Sequence, residues 1–194
     1  MQYVNFTFAL LVMSLLWVAS PVSADSGSFP NGLARVELPF PSAIGLQTEV
    51  PRDSSLPDHP RILLLRGEEI TLREKVESDP LWSRVHRQIL DKCALFLKQA
   101  PVERRLVGRR LLDRSREALR RIFYLSYAFR MTGNRAFLAR AEDEMRAVAA
   151  FPDWNPSHFL DVAEMTMALA IGYDWLFHEL SPEAKALIRD SIVQ

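Results

Sequence analysis

Phe151–Leu176, "FPDWNPSHFLDVAEMTMALAIGYDWL", is the stretch on which the reading of this 194-residue chain turns. Its first half has two prolines, a Trp-Asn pair, a His, an Asp and a Glu, and then runs into an apolar segment. Pro152 and Pro156 bound a loop, and Ser157 stands where a helix N-cap belongs, which predicts a helix over 157–178. From Phe159 to Phe177 that helix is apolar nearly all round, broken only by Asp161, Glu164, Thr166 and Asp174. A helix without a polar face belongs inside a larger assembly.

Working outward, the neighbouring segments also read as helices. One is predicted over 67–78, and the next opens at Asp79-Pro80, an N-cap followed by a first-turn proline. A third runs from about Arg104 to Thr132 and is closed by Gly133. A fourth lies between Asn134 and Pro152, with Phe137, Ala141, Met145 and Val148 as its stripe. A sixth begins at Ser181-Pro182-Glu183 and meets no stop signal before Gln194. No strand with two-residue periodicity occurs after residue 59. The expected class is all-α: antiparallel helical hairpins forming part of an incomplete α/α toroid, apparently truncated. Too few partners are present to cover the fifth helix on every side.

The N-terminal third has a different texture. Residues 1–24 hold no charged side chain and have an apolar core from Phe6 to Val18, with Val22-Ser23-Ala24 as a small-residue cleavage site. They read as a signal peptide, too short in its apolar core to span a bilayer comfortably. The expectation is a periplasmic or extracellular protein with no stable membrane insertion after cleavage. Residues 25–58, rich in Ser, Pro and Gly, read as an extended leader. The lone cysteine, Cys93, allows no intrachain disulfide and reads as a small buried hydrophobe.

Basic and acidic residues balance at 24 each, against a nucleic-acid partner. The run Glu103–Arg121, "ERRLVGRRLLDRSREALRR", nevertheless holds eight arginines against three acids. Arginine takes carboxylates and sulfates in a bidentate fork, but a helix with Arg109, Arg116 and Arg120 on one side and Leu112, Ser115, Leu119 and Ile122 on the other is mostly a solvated outer face. Four scattered histidines and one cysteine show no metal-ligand spacing, and no cofactor is expected.

The segments "HPRILLLRGEEITLREKVESDP", "RRLLDRSREALRRIFYLSYAFRMTGN" and "FLARAEDEMRAVAAFPDWNPSHFLDVAEMTMALAIGYDWLFHELSPEAKALIRDSI" resemble the N-terminal region of heparinase II/III-type polysaccharide lyases and related alginate lyases. The resemblance covers 59–194, and "FPDWNPSHFLDVAEMTMALAIGYDWL" is its most specific block. It implies the first hairpins of an α/α toroid in a secreted enzyme of carbohydrate metabolism, with an acidic polysaccharide or oligosaccharide as substrate. The implied reaction is β-elimination: loss of the uronate C5 proton once donors neutralise the adjacent carboxylate. The family's catalytic Asn, His and Tyr motifs match no position here, so no catalytic residue is assigned, and this length alone is expected to be inactive.

Four residues are candidates for substrate contact. Trp154 can stack on a sugar ring, or else pack on the preceding helix. Asn155 can hydrogen-bond a sugar, or else close a turn before Pro156. His158, in the first helical turn, can meet an anion together with free N–H groups. Glu164 lies three residues from Asp161 on one face and can act with it, or else bind an arginine of a neighbouring helix. If Asp161 and Glu164 are an acid/base pair, the chain is a glycoside hydrolase on a six-hairpin barrel. A tetratricopeptide-like module is the non-enzymatic alternative, although "YLSYAFRMTGNRAFLARAEDEMRAV" has no second copy at about 34 residues. Asp174, if buried, requires a backbone N–H or an arginine. Tyr124 and Tyr127 remain open as proton donors.

Overall fold

The computed structural model describes residues 57–193. The signal peptide expected over 1–24 and all but the end of the leader lie outside them. The described residues form six helices and no strand: α1 (Glu68–Ser78), α2 (Pro80–Phe96), α3 (Leu112–Thr132), α4 (Arg135–Ala149), α5 (Phe159–Trp175) and α6 (Pro182–Val193). The described residues are all-α, as their periodicity implies.

Local chemistry sets most of the boundaries. The Asp79 side chain accepts from the N–H groups of Leu81 and Trp82, and Pro80 occupies the first turn of α2. Gly133 closes α3 at φ 71°, and Asn134 then caps α4 by accepting from Ala136 N–H. Ser181 Oγ accepts from Ala184 N–H at 3.1 Å to start α6.

Two boundaries differ from the sequence reading. The third helix begins at Leu112, not near Arg104. Residues before it form a tight hairpin in which Val107 and Arg110 exchange both backbone hydrogen bonds, at 2.8 and 3.2 Å. Gly108 leads its two-residue turn at φ 61°, a conformation that glycine adopts at no steric cost. The fifth helix runs over Phe159–Trp175 rather than 157–178. Its N-cap position belongs to His158, not Ser157, whose hydroxyl donates to Asn155 Oδ1 instead.

Sequence-adjacent helices α2, α3 and α4 run antiparallel. His86 of α2 meets Tyr127 of α3, while Phe96 at the other end of α2 lies under Arg120 and Arg121. Helices α3 and α5 are parallel neighbours. Leu111 meets Asp161, Ser115 meets Glu164, and Phe123 meets Trp175 at 5.0 Å between ring centroids. Ile122, Leu125, Met145, Met165, Leu169 and Leu176 are fully buried between these elements. Gly172 permits the approach, since a Cβ there would stand 2.6 Å from Ile122 Cγ2.

Helix α5 is not enclosed. Phe159 is 78 % exposed, Leu160 47 % and Met167 39 %, so one apolar side of the helix faces outward. At its far end the bent segment 58–66 packs on α5, held by Asp174 and by Arg130, which donates to the carbonyls of Leu64 and Leu65.

Candidate functional site

The parallel course of α3 and α5 brings both of their first turns to one end of the bundle. There the basic hairpin of residues 104–111 lies against the proline-bounded loop 151–158. The two are fastened at two points, and a third tie joins the hairpin to α5. Arg104 donates to the Asp153 carboxylate at 2.7 Å and to its carbonyl at 3.1 Å. Asn155 Nδ2 donates to the carbonyl of Arg109 at 2.9 Å. Leu111 N–H donates to Asp161 Oδ2 at 2.8 Å.

Asp161 is the centre of this junction and is fully buried. Besides Leu111, it receives Asn155 Nδ2 at 2.7 Å and pairs with His158 Nδ1 at 2.9 Å. Burial works to raise its pKa, but the donors of Leu111, Asn155 and His158 outweigh burial and hold it below the ordinary carboxylate value. A general acid of a glycosidase needs the opposite shift. Glu164 is likewise occupied, pairing with Arg116 Nε at 3.3 Å and accepting from Ser115 Oγ at 3.0 Å. Both carboxylates therefore act as ties between α3 and α5.

The four candidate contact residues meet at this end, but most of their polar atoms are committed within the fold. Trp154 is half-buried, packs against the core and donates its indole N–H to the Val148 carbonyl at 3.1 Å. Asn155 is buried, with φ 58°, a left-handed conformation that asparagine tolerates better than most residues. His158 is half-buried beside Asp161. Phe159, the residue after it, is exposed.

Seven of the run's eight arginines fall into two groups. Arg104, Arg116, Arg120 and Arg121 pair with Asp153, Glu164, Glu117 and Glu144. Arg121 also binds Glu117 and the carbonyl of Ala100. Arg105, Arg109 and Arg110 are exposed on the hairpin, and among the described residues they make no ion pair. Sequence reasoning missed this trio because it drew the run as one helix. Gly108, with arginines on both sides, was the available signal.

Elsewhere the polar groups serve the fold. Tyr127 is buried and donates to or accepts from His86 Nδ1 at 2.9 Å; burial raises its pKa, which suits a neutral structural phenol. Burial likewise pushes the Cys93 thiol up to about 12. Asp174 finds the backbone N–H groups of Arg61 and Ile62, as a buried carboxylate requires. A cleft of about 420 Å³ lies at the opposite end, near Arg66, Arg73, Arg130 and Trp175. Arg66 pairs with Asp58, Arg73 with helix-end carbonyls and Arg130 with Glu69.

Among the described residues, no group of three or more His, Cys, Asp or Glu is placed to hold a metal ion, and no helix is long and apolar enough to cross a membrane. No protein-family model matches the chain, and no curated protein matches it.

Proposed function

We propose that this chain is the N-terminal part of a secreted polysaccharide lyase that cleaves uronic-acid-containing glycans by β-elimination, and that its basic hairpin forms an anion-binding rim. The observation that carries the reading is the trio Arg105, Arg109 and Arg110, carried on a hairpin turn at the end where α3 and α5 begin. The chemistry of elimination makes such cations useful. A uronate C5 proton becomes removable only when charge on the neighbouring carboxylate is neutralised, and arginine does this in a two-point fork. Phe159, exposed at the start of α5, offers an apolar face for a sugar ring. The groups that remove and deliver protons are assigned to none of the described residues.

The reading is tested by mixing the protein in its natural length with polygalacturonate, alginate and heparin and following ultraviolet absorbance of unsaturated uronate. Rising absorbance supports a lyase. New reducing ends without absorbance identify a hydrolase instead, and neither product removes the catalytic claim.

A further inference from the structure

We infer that Asn155 and Asp153 are positioning residues for a polyanion clamp made by the 104–111 hairpin, an inference that rests on the functional reading above. The hairpin has two legs, and each is tied to the same loop. Arg104, on the incoming leg, is held by the Asp153 side chain and carbonyl. Arg109, on the outgoing leg, has its carbonyl held by Asn155 Nδ2, which also donates to buried Asp161. Asp153 Oδ1 in turn accepts from Asn155 N–H at 2.7 Å, so the ties form one connected network. Ser157 Oγ donates to Asn155 Oδ1 at 2.9 Å and sets which end of the amide points at the hairpin.

Neither residue carries a positive charge: Asn155 is buried, and the exposed Asp153 carboxylate repels a polyanion rather than binding it. Their effect is to hold in place the narrow turn that carries Arg105, Arg109 and Arg110. A clamp held in place before binding loses less conformational freedom when the polyanion arrives. The hairpin itself has only two backbone hydrogen bonds, between Val107 and Arg110, and a two-stranded turn of this size is marginal alone. The ties to loop 151–158 supply the remainder of its order.

The ligand class is a strand bearing closely spaced carboxylates or sulfates, and the two probes are polygalacturonate and dextran sulfate. Asn155→Gly keeps the positive φ without strain and removes both amide donors. Asp153→Ala releases Arg104 while deleting an acid near the site. The second variant separates the two explanations by sign. Charge alone makes D153A bind a polyanion more tightly, whereas loss of positioning makes it bind more weakly. The expected result is that each variant weakens binding of the purified chain by about three- to tenfold. Its circular dichroism stays unchanged, and amide exchange at Val107 and Arg110 speeds up.

Wild-type affinity in either variant, with faster exchange at Val107 and Arg110, overturns the positioning role. Unchanged exchange overturns it as well, since the ties then do not order the hairpin. A control carrying R105Q, R109Q and R110Q together is expected to lose binding by about tenfold or more. If the wild-type chain binds neither probe, the functional reading fails and the clamp with it. The exchange data still report in that case whether the ties hold the hairpin.

Discussion

Asp174, near the end of α5, meets His59 Nδ1 at 2.6 Å, joining positions 115 residues apart in the chain. The same carboxylate accepts from the backbone N–H groups of Arg61 and Ile62 at 2.9 and 3.0 Å. His59 also stacks on Phe177, with ring centroids 4.0 Å apart. This buried charge is one of the ties, with Arg130 and Trp175, that dock the segment leading into α1. Asp174→Ala leaves two backbone donors without their acceptor and opens the strap. A loss of about 2–4 kcal/mol is expected in urea unfolding, with earlier proteolysis between residues 57 and 66. Unchanged stability and unchanged cleavage refute this account.

Glu144 shows the same logic deeper inside. It is fully buried, binds Arg121 at 2.9 Å and Arg140 at 2.7 Å, and accepts from Val102 N–H at 2.8 Å. Replacing it with alanine leaves Val102 N–H without its acceptor and Arg140 without its carboxylate, while Arg121 keeps Glu117, so Glu144→Ala is expected to cost about 3–5 kcal/mol. Thermal unfolding of the variant beside the wild type measures the loss. The exposed pair Arg189–Asp190 is the contrasting case, and removing it is expected to change stability by less than about 1 kcal/mol.

Much of this architecture was legible in the sequence because its causes are local. Asp79, Gly133, Asn134 and Ser181 mark helix ends through contacts within a few residues of themselves. The hairpin at Val107–Arg110 was misread as helix because arginine and leucine are good helix formers, and only Gly108 interrupts them. The partner type of Asp174 followed from burial, and Glu164 was correctly offered an arginine from a neighbouring helix. Which residues meet them was not legible, because His59, Arg61 and Arg116 are brought there by packing rather than by spacing. The same applies to the junction at Asp161, whose donors Leu111 and Asn155 come from different loops.

Stability is expected to fall on acidification in two stages. Burial lowers the pKa of His86 in the folded chain, so its contribution is intact above the unfolded value of about 6.5 and is lost as pH falls from there toward the depressed folded value. Asp161 is also depressed by its donors. Its contribution holds above about pH 3.9, the unfolded value, and is lost as pH falls toward the folded one. Urea midpoints across this range should show both steps, with His86→Gln flattening the first and Asp161→Asn the second. A first step that survives His86→Gln assigns it to another group.

Gly172 is a packing glycine, and its replacement tests how tightly α3, α4 and α5 meet. An added Cβ would run into the Met145 sulfur and the Ile122 methyl. Both neighbours are fully buried, so neither side chain can swing away into solvent. Gly172→Ala gains helix propensity but overpacks the junction, and a net destabilisation of about 1–3 kcal/mol is expected. A stabilised variant would mean that Met145 rearranges freely.

The uncovered side of α5 makes the last prediction. Leu160, Ala163 and Met167 recur at helical spacing and are exposed, forming an apolar stripe along a helix whose opposite side packs on α3. Such a stripe favours association when nothing covers it. The chain is expected to sediment as larger species with rising concentration, and Leu160→Lys with Met167→Lys to shift it toward monomer. Because these side chains contribute little to the core, the double variant should move unfolding by no more than about 1 kcal/mol. A larger loss means that the stripe is packed within the folded chain, and unchanged association places the sticky surface elsewhere.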